Sequence, residues 1–162
     1  MTATPEPPVA EAALLIRRPV AEVFEAFVDP AITTRFWFSK SSGRLEPGKR
    51  VRWDWEMYGA GGDIEVVAVE PHRRIEIRWD YNGTMTPVVW TFEPRGEAAT
   101  LVSVVNSGFG GDLAAATADA LGSTGGFALV LAGAKAWLEH GLELGLIESR
   151  HPDAVVAGWK GR

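Results

Sequence analysis

The spacing of apolar residues along the chain passes from none, to helical, to alternating, and back to helical. Residues 1–9 hold prolines and threonines but no periodic apolar pattern, and read as a flexible arm. A short apolar run over about 10–17 predicts a first strand, broken at Arg18-Pro19. Val20, Val23, Phe24 and Phe27 then recur at helical spacing and Asp29-Pro30 stops them, which predicts a helix over about 19–28. Pro19 suits the first helical position, where a missing N–H costs nothing. A shorter helical turn at 31–35 leads into Phe36-Trp37-Phe38.

From Lys49 the period becomes two. Val51, Trp53, Trp55 and Met57 alternate with Arg50, Arg52, Asp54 and Glu56, as in a strand with one wet face. After the turn Tyr58-Gly59-Ala60-Gly61-Gly62, a second strand spans 63–70. Ile75, Ile77 and Trp79 alternate in a third, and Val88, Trp90 and Phe92 in a fourth. Asn82-Gly83 between them is a strong hairpin signal. Residues 100–106 form the last strand of an antiparallel meander, and the first strand can pair at an edge. Asp112 caps a short helix over 113–121, Gly122-Ser123-Thr124-Gly125-Gly126 interrupts it, and a long helix is expected over 127–145. Phe127, Val130, Leu131, Ala134, Trp137, Leu138, Gly141, Leu142 and Gly145 share its apolar face, with Lys135, Glu139 and Glu143 on a solvated face opposite. The expected fold is α+β: a curved antiparallel sheet of about six strands wrapped around a long C-terminal helix, with two short helices after strand one. One domain spans 10–146, and 147–162 follow as a tail in which Val155, Val156 and Trp159 are available to dock.

Composition narrows the functions. The 162 residues suit one domain, and 46% hydrophobic with 23% charged residues suits a globular one. A formal net charge of −5 with no basic run argues against nucleic acid. The absence of cysteine excludes disulfides, thiolate metal sites and Cys nucleophiles. No stretch approaches the ~20 apolar residues of a membrane span, so no membrane insertion and a cytoplasmic setting are expected.

Seven tryptophans point instead to an aromatic-lined interior. Alternation aims Trp53, Trp55, Ile77, Trp79, Trp90 and Phe92 inward, opposite Val130, Ala134, Trp137 and Gly141 of the long helix; Trp37, after the second short helix, is a further candidate contact, with an interface patch or ordinary core packing as its alternatives. These residues are the expected ligand contacts; the competing expectation is that the same side chains fill the core themselves. Glycine and alanine on the buried helix face mean either close approach to the sheet or room for a ligand. Tyr58 and Tyr81 fall in turns as hydroxyl donors at the mouth.

Catalytic signals are sparse. His72, His140 and His151 lack metal-ligand spacing, and Ser107 and Ser123 lie in glycine-rich stretches without a nucleophile elbow. Gly108-Phe109-Gly110-Gly111 lacks the Lys of a phosphate loop. No metal, cofactor or catalytic set is assigned.

Ile16-Arg17-Arg18-Pro19-Val20-Ala21-Glu22-Val23-Phe24, Asp29-Pro30 with Phe36-Trp37, the run from Gly62 to Ile75, Trp79, and Val89-Trp90-Thr91-Phe92-Glu93 together resemble the helix-grip fold of the START and birch-pollen-allergen superfamily. More narrowly they resemble the branch related to the C-terminal domain of the heat-shock protein 90 ATPase activator, over roughly residues 10–145. The resemblance implies binding of a hydrophobic or amphipathic small molecule between sheet and helix. A cyclase- or hydrolase-like enzyme on the same scaffold and a chaperone-interacting domain are its alternatives. A homodimer and a chaperone stay open as partners.

Overall fold

In the computed structural model, which describes residues 2–161, seven antiparallel strands form one sheet in the order β1-β7-β6-β5-β4-β3-β2. The arm expected over 1–9 begins with Met1, which lies outside the described residues. The strands are β1 (Ala10–Ile16), β2 (Lys40–Ser41), β3 (Arg50–Trp55), β4 (Ala60–Glu70), β5 (Arg74–Tyr81), β6 (Thr84–Pro94) and β7 (Thr100–Asn106). The strand beyond the expected six is β2, a two-residue edge pairing Ser41 with Trp53. Period two does what it should: Val51, Trp53, Ile75, Ile77, Val88, Trp90, Phe92, Val102 and Val104 are all buried on one face. Asn82 and Gly83 both take positive φ, 49° and 92°, as a two-residue hairpin turn of this hand requires. β1 pairs with β7 from Ala10↔Asn106 to Ile16↔Thr100, so the first strand extends the meander at its far edge.

Helix α1 (Val20–Val28) turns Val23, Phe24, Ala26 and Phe27 into the core. Pro19 is its N-cap, with φ −58° and ψ 147°, and not its first helical residue. Asp29 ends α1 and caps α2 (Pro30–Thr33), accepting from the Ala31 N–H at 2.9 Å.

The largest departure from expectation is α3 (Leu113–His140), a single 28-residue helix that runs through Gly122–Gly126 without a break. Its anchors, Ala116, Ala120, Ser123, Phe127, Val130, Leu131 and Ala134, are buried on both sides of the glycines, so tertiary packing outweighs their ~1 kcal/mol propensity deficit. Asp112 caps it, accepting from the Ala115 N–H at 2.8 Å. Gly141 ends it in the left-handed region at φ 65°, donating to Trp137 O at 2.8 Å, so Gly141, Leu142 and Gly145 do not extend its buried face. Lys135 and Glu139 are not on a solvated face either. Lys135 Nζ donates to Leu15 O at 2.8 Å, and the Glu139 carboxylate accepts from the Arg17 N–H at 2.9 Å with its side chain only 9% exposed. As one continuous helix, α3 is also long and apolar enough to cross a bilayer by length and composition, contrary to expectation. Here it packs on the sheet.

The segment expected as a tail packs as well. Helix α4 (Leu146–Arg150) leads to a 3-10 turn at Pro152–Ala154, and Val156 N–H donates to Met57 O at 2.8 Å beside the β3–β4 connection.

Candidate functional site

The space between sheet and helix has a closed end and an open end. At the closed end, Phe27, Trp37, Leu45, Trp53, Ile75 and Trp90 interlock around a gap with no room for a water molecule. Phe38 stacks on Trp53 at 4.4 Å, and Trp37 meets Trp53 and Trp90 edge-on at 4.9 and 5.8 Å. At the open end the interior widens to a cleft of about 280 Å³, near the lower limit for small-molecule pockets, whose apolar wall is Trp37, Trp55, Trp79, Phe127 and Val130. Tyr58, Ala60, Tyr81, Gly122, Ser123, Gly126, Ile147, Arg150 and His151 complete it, and the last two stand exposed at the rim. Both expectations are met in part: large side chains fill the centre, and the room left for a ligand is an open cleft at one end. A groove of about 350 Å³ adjoins it along the ends of β4 and β5, sharing Trp55, Ala60, Trp79 and Tyr81 and lined beyond them by Gly61, Gly62, Asp63, Ile64, Asp80 and Asn82.

The expected contacts divide between these places. Trp37, Trp55, Trp79 and Val130 line the cleft. Trp53 (1% exposed), Ile77 (0%), Trp90 (2%) and Phe92 (2%) belong to the packed core, as does Ala134 (0%). Trp137 lies away from the cleft, under the Arg35 guanidinium at 5.1 Å. Gly141 is an exposed helix cap. Period two identified the inward face but could not separate the two ends of the same interior.

The glycines of α3 shape the open end. A Cβ on Gly122 would stand 3.2 Å from Tyr81 Oη, and one on Gly125 or Gly126 would meet the Arg150 guanidinium at 2.9 or 2.8 Å. Arg150 Nη2 donates to Gly122 O at 2.9 Å, so the missing side chains form its seat. Gly133 is of the other kind: its Cβ would lie 3.1 Å from Phe36 Cβ and 3.3 Å from Phe36 O, a close backbone approach.

A polar relay backs the apolar wall. Ser123 Oγ donates to Asn106 Oδ1 at 2.9 Å, and Asn106 Nδ2 donates to Thr86 Oγ1 and Pro87 O, both at 2.9 Å. All three side chains are buried, so the relay fixes the pitch of α3 against β6 and β7 by satisfying groups that would otherwise be costly there. Ser123 is helical, not in a loop, and its hydroxyl is engaged by an amide in place of a base. Burial raises the pKa of Tyr81, with Asp119 adding to the rise and Arg150 opposing it. Burial also raises that of Tyr58, whose hydroxyl donates to Ile147 O. Both tyrosines are neutral donors near neutral pH. Among the described residues, no group of three or more His, Asp or Glu is placed to hold a metal.

Residues 17–137 match the family described as Activator of Hsp90 ATPase homolog 1-like protein. The chain belongs to this family. Solved structures carry the same fold. The Staphylococcus saprophyticus protein SSP2350 is 32% identical, with a TM-score of 0.71 over 84% of this chain and 95% of that one. DynU16, from the dynemicin biosynthetic locus, is 27% identical with a TM-score of 0.74, and the alignment covers 86% of this chain but 49% of DynU16. The Aha1 dimer from Colwellia psychrerythraea, at 18% identity over 82% of this chain and 97% of that one, superposes with a TM-score of 0.70. A START superfamily protein from Mycobacterium smegmatis, at 13% identity, also aligns, with a TM-score of 0.58 over 81% of this chain and 99% of that one, so the fold is the START-like helix grip. No curated protein matches the chain. Of the cleft residues, Ile147, Arg150 and His151 lie beyond the part that matches the family.

Proposed function

We propose that this family member binds a hydrophobic or amphipathic small molecule in the cleft between α3 and the ends of β3 and β5. The observation that carries the reading is the cleft of about 280 Å³, whose wall is built from Trp37, Trp55, Trp79, Phe127 and Val130. Ring faces at this density supply contact area to a hydrophobic ligand without paired polar groups. Native mass spectrometry of the freshly purified protein tests it. A co-purifying hydrophobic or amphipathic compound is expected with the native chain and is lost in Ala60→Trp, which sets an indole at the cleft rim. Retention of the same bound mass by the folded variant would overturn the reading.

The family description supports a second reading, contact with an Hsp90-type chaperone. It predicts that the purified chain raises the ATPase rate of the chaperone from the same organism, and an unchanged rate removes it. The dimer seen for the Colwellia relative suggests the same assembly here. A cyclase or hydrolase reading would have to rest on His151 and the hydroxyls of Tyr58, Tyr81 and Ser123, since the cleft lining holds no carboxylate.

A further inference from the structure

The proposed ligand site has a polar end that its apolar wall does not explain. The cleft lining contains Arg150 and His151 and no Asp or Glu, in a chain whose net charge is −5. Eight of the described arginines sit within 4.0 Å of a carboxylate. Arg150 is not among them. The hydrogen bond it makes runs from Nη2 to Gly122 O at 2.9 Å, which leaves most of a five-donor guanidinium facing the rim. Its seat on Gly125 and Gly126 would be filled by any side chain there. Its charge acts on both Tyr58 and Tyr81, opposing the rise in each pKa. Asp119, which acts on Tyr81 from the other side, accepts from Asn82 Nδ2 at 2.8 Å.

We propose that Arg150 reads a carboxylate, so that the ligand of this cleft is an aromatic acid with its rings on Trp55 and Trp79 and its acid group on the Arg150 guanidinium. This rests on the cleft being the ligand site. The planar guanidinium fork matches a carboxylate in two parallel hydrogen bonds, and such charge-assisted bonds are stronger than neutral ones. The indole faces set the ring system beside it.

The test uses 2-naphthoate and its uncharged methyl ester, followed by the indole N–H cross-peaks of the ¹⁵N-labelled full chain. The acid is expected to shift the Trp55 and Trp79 peaks and to bind about 10-fold more tightly than the ester. Arg150→Gln should weaken the acid about 10-fold and leave the ester unchanged, and Arg150→Lys should restore part of the loss. Dispersed spectra of both variants check that they are folded. Equal affinity for acid and ester, or an acid affinity unmoved by Arg150→Gln, overturns the proposal while leaving the cleft reading intact. Tighter binding of decanoate than of 2-naphthoate overturns the aromatic assignment. If the ester and the acid both leave the Trp55 and Trp79 peaks unmoved, the cleft reading falls, and the proposal with it.

Discussion

Toward β1, helix α3 has nothing left to give. Leu131 and Ala134 are sealed in, Gly133 admits the Phe36 backbone, and Lys135 and Glu139 bond to the end of β1. Toward β5 the same helix carries Gly122, Gly125 and Gly126, and what meets them is a tyrosine hydroxyl, the tip of an arginine and a cleft. One helix thus uses glycine in two ways. At position 133 the absent side chain is replaced by fixed protein; at 122–126 it is replaced by movable groups and space. Small residues on a buried helix face signal a pocket only when their neighbours can move.

Paired truncations would break this contrast first. Trp90→Ala in the closed end should lower unfolding stability by about 3–5 kcal/mol, whereas Trp55→Ala, half-buried beside the cleft, should cost no more than about 2 kcal/mol in urea denaturation. Equal losses would mean that the open end is packed as firmly as the closed one.

The next effect is electrostatic. Burial alone would push the Glu139 carboxyl up, but the Arg17 N–H and the Lys135 ammonium hold it below its ordinary value. A depressed carboxylate pKa stabilises the fold above the unfolded value of about 4.3, and that contribution is lost as pH falls through the lower folded value. Glu139→Gln should therefore reduce stability by about 1 kcal/mol at neutral pH and flatten its decline in acid, read from urea midpoints against pH. An identical acid limb in both proteins would refute the role of Glu139.

The smallest effect sharpens the comparison most. Gly126→Ala gains helix propensity of up to about 1 kcal/mol and displaces only the end of Arg150, so it should raise the melting temperature. Gly133→Ala gains the same propensity but must push Phe36, and should melt below Gly126→Ala. The reverse order would contradict the division drawn between the two glycine sets.

Much of the sheet was legible because each strand has one buried face, so that alternation and the Asn82-Gly83 turn fix strands and their connection together. The helix was not, since glycine at 122–126 reads locally as a break while the anchors that override it, Ala120, Ser123 and Phe127, act through contacts distant in sequence. Trp37, Trp55, Trp79 and Val130 were found on the cleft wall, yet alternation could not show that Trp53 and Trp90 fill the centre. Arg150 and His151 were missed because they stand in a stretch with no periodic pattern. Only the folded chain brings that stretch over the helix glycines.

The indole cluster has an optical consequence. Trp37, Trp53, Trp55 and Trp79 have ring centroids 4.9–6.5 Å apart. At such spacing, light absorbed by one indole is shared among its neighbours well before any of them emits. The cluster has one edge in the cleft wall and the other deep in the core, so a change at the mouth is expected to register in the emission of the buried rings as well.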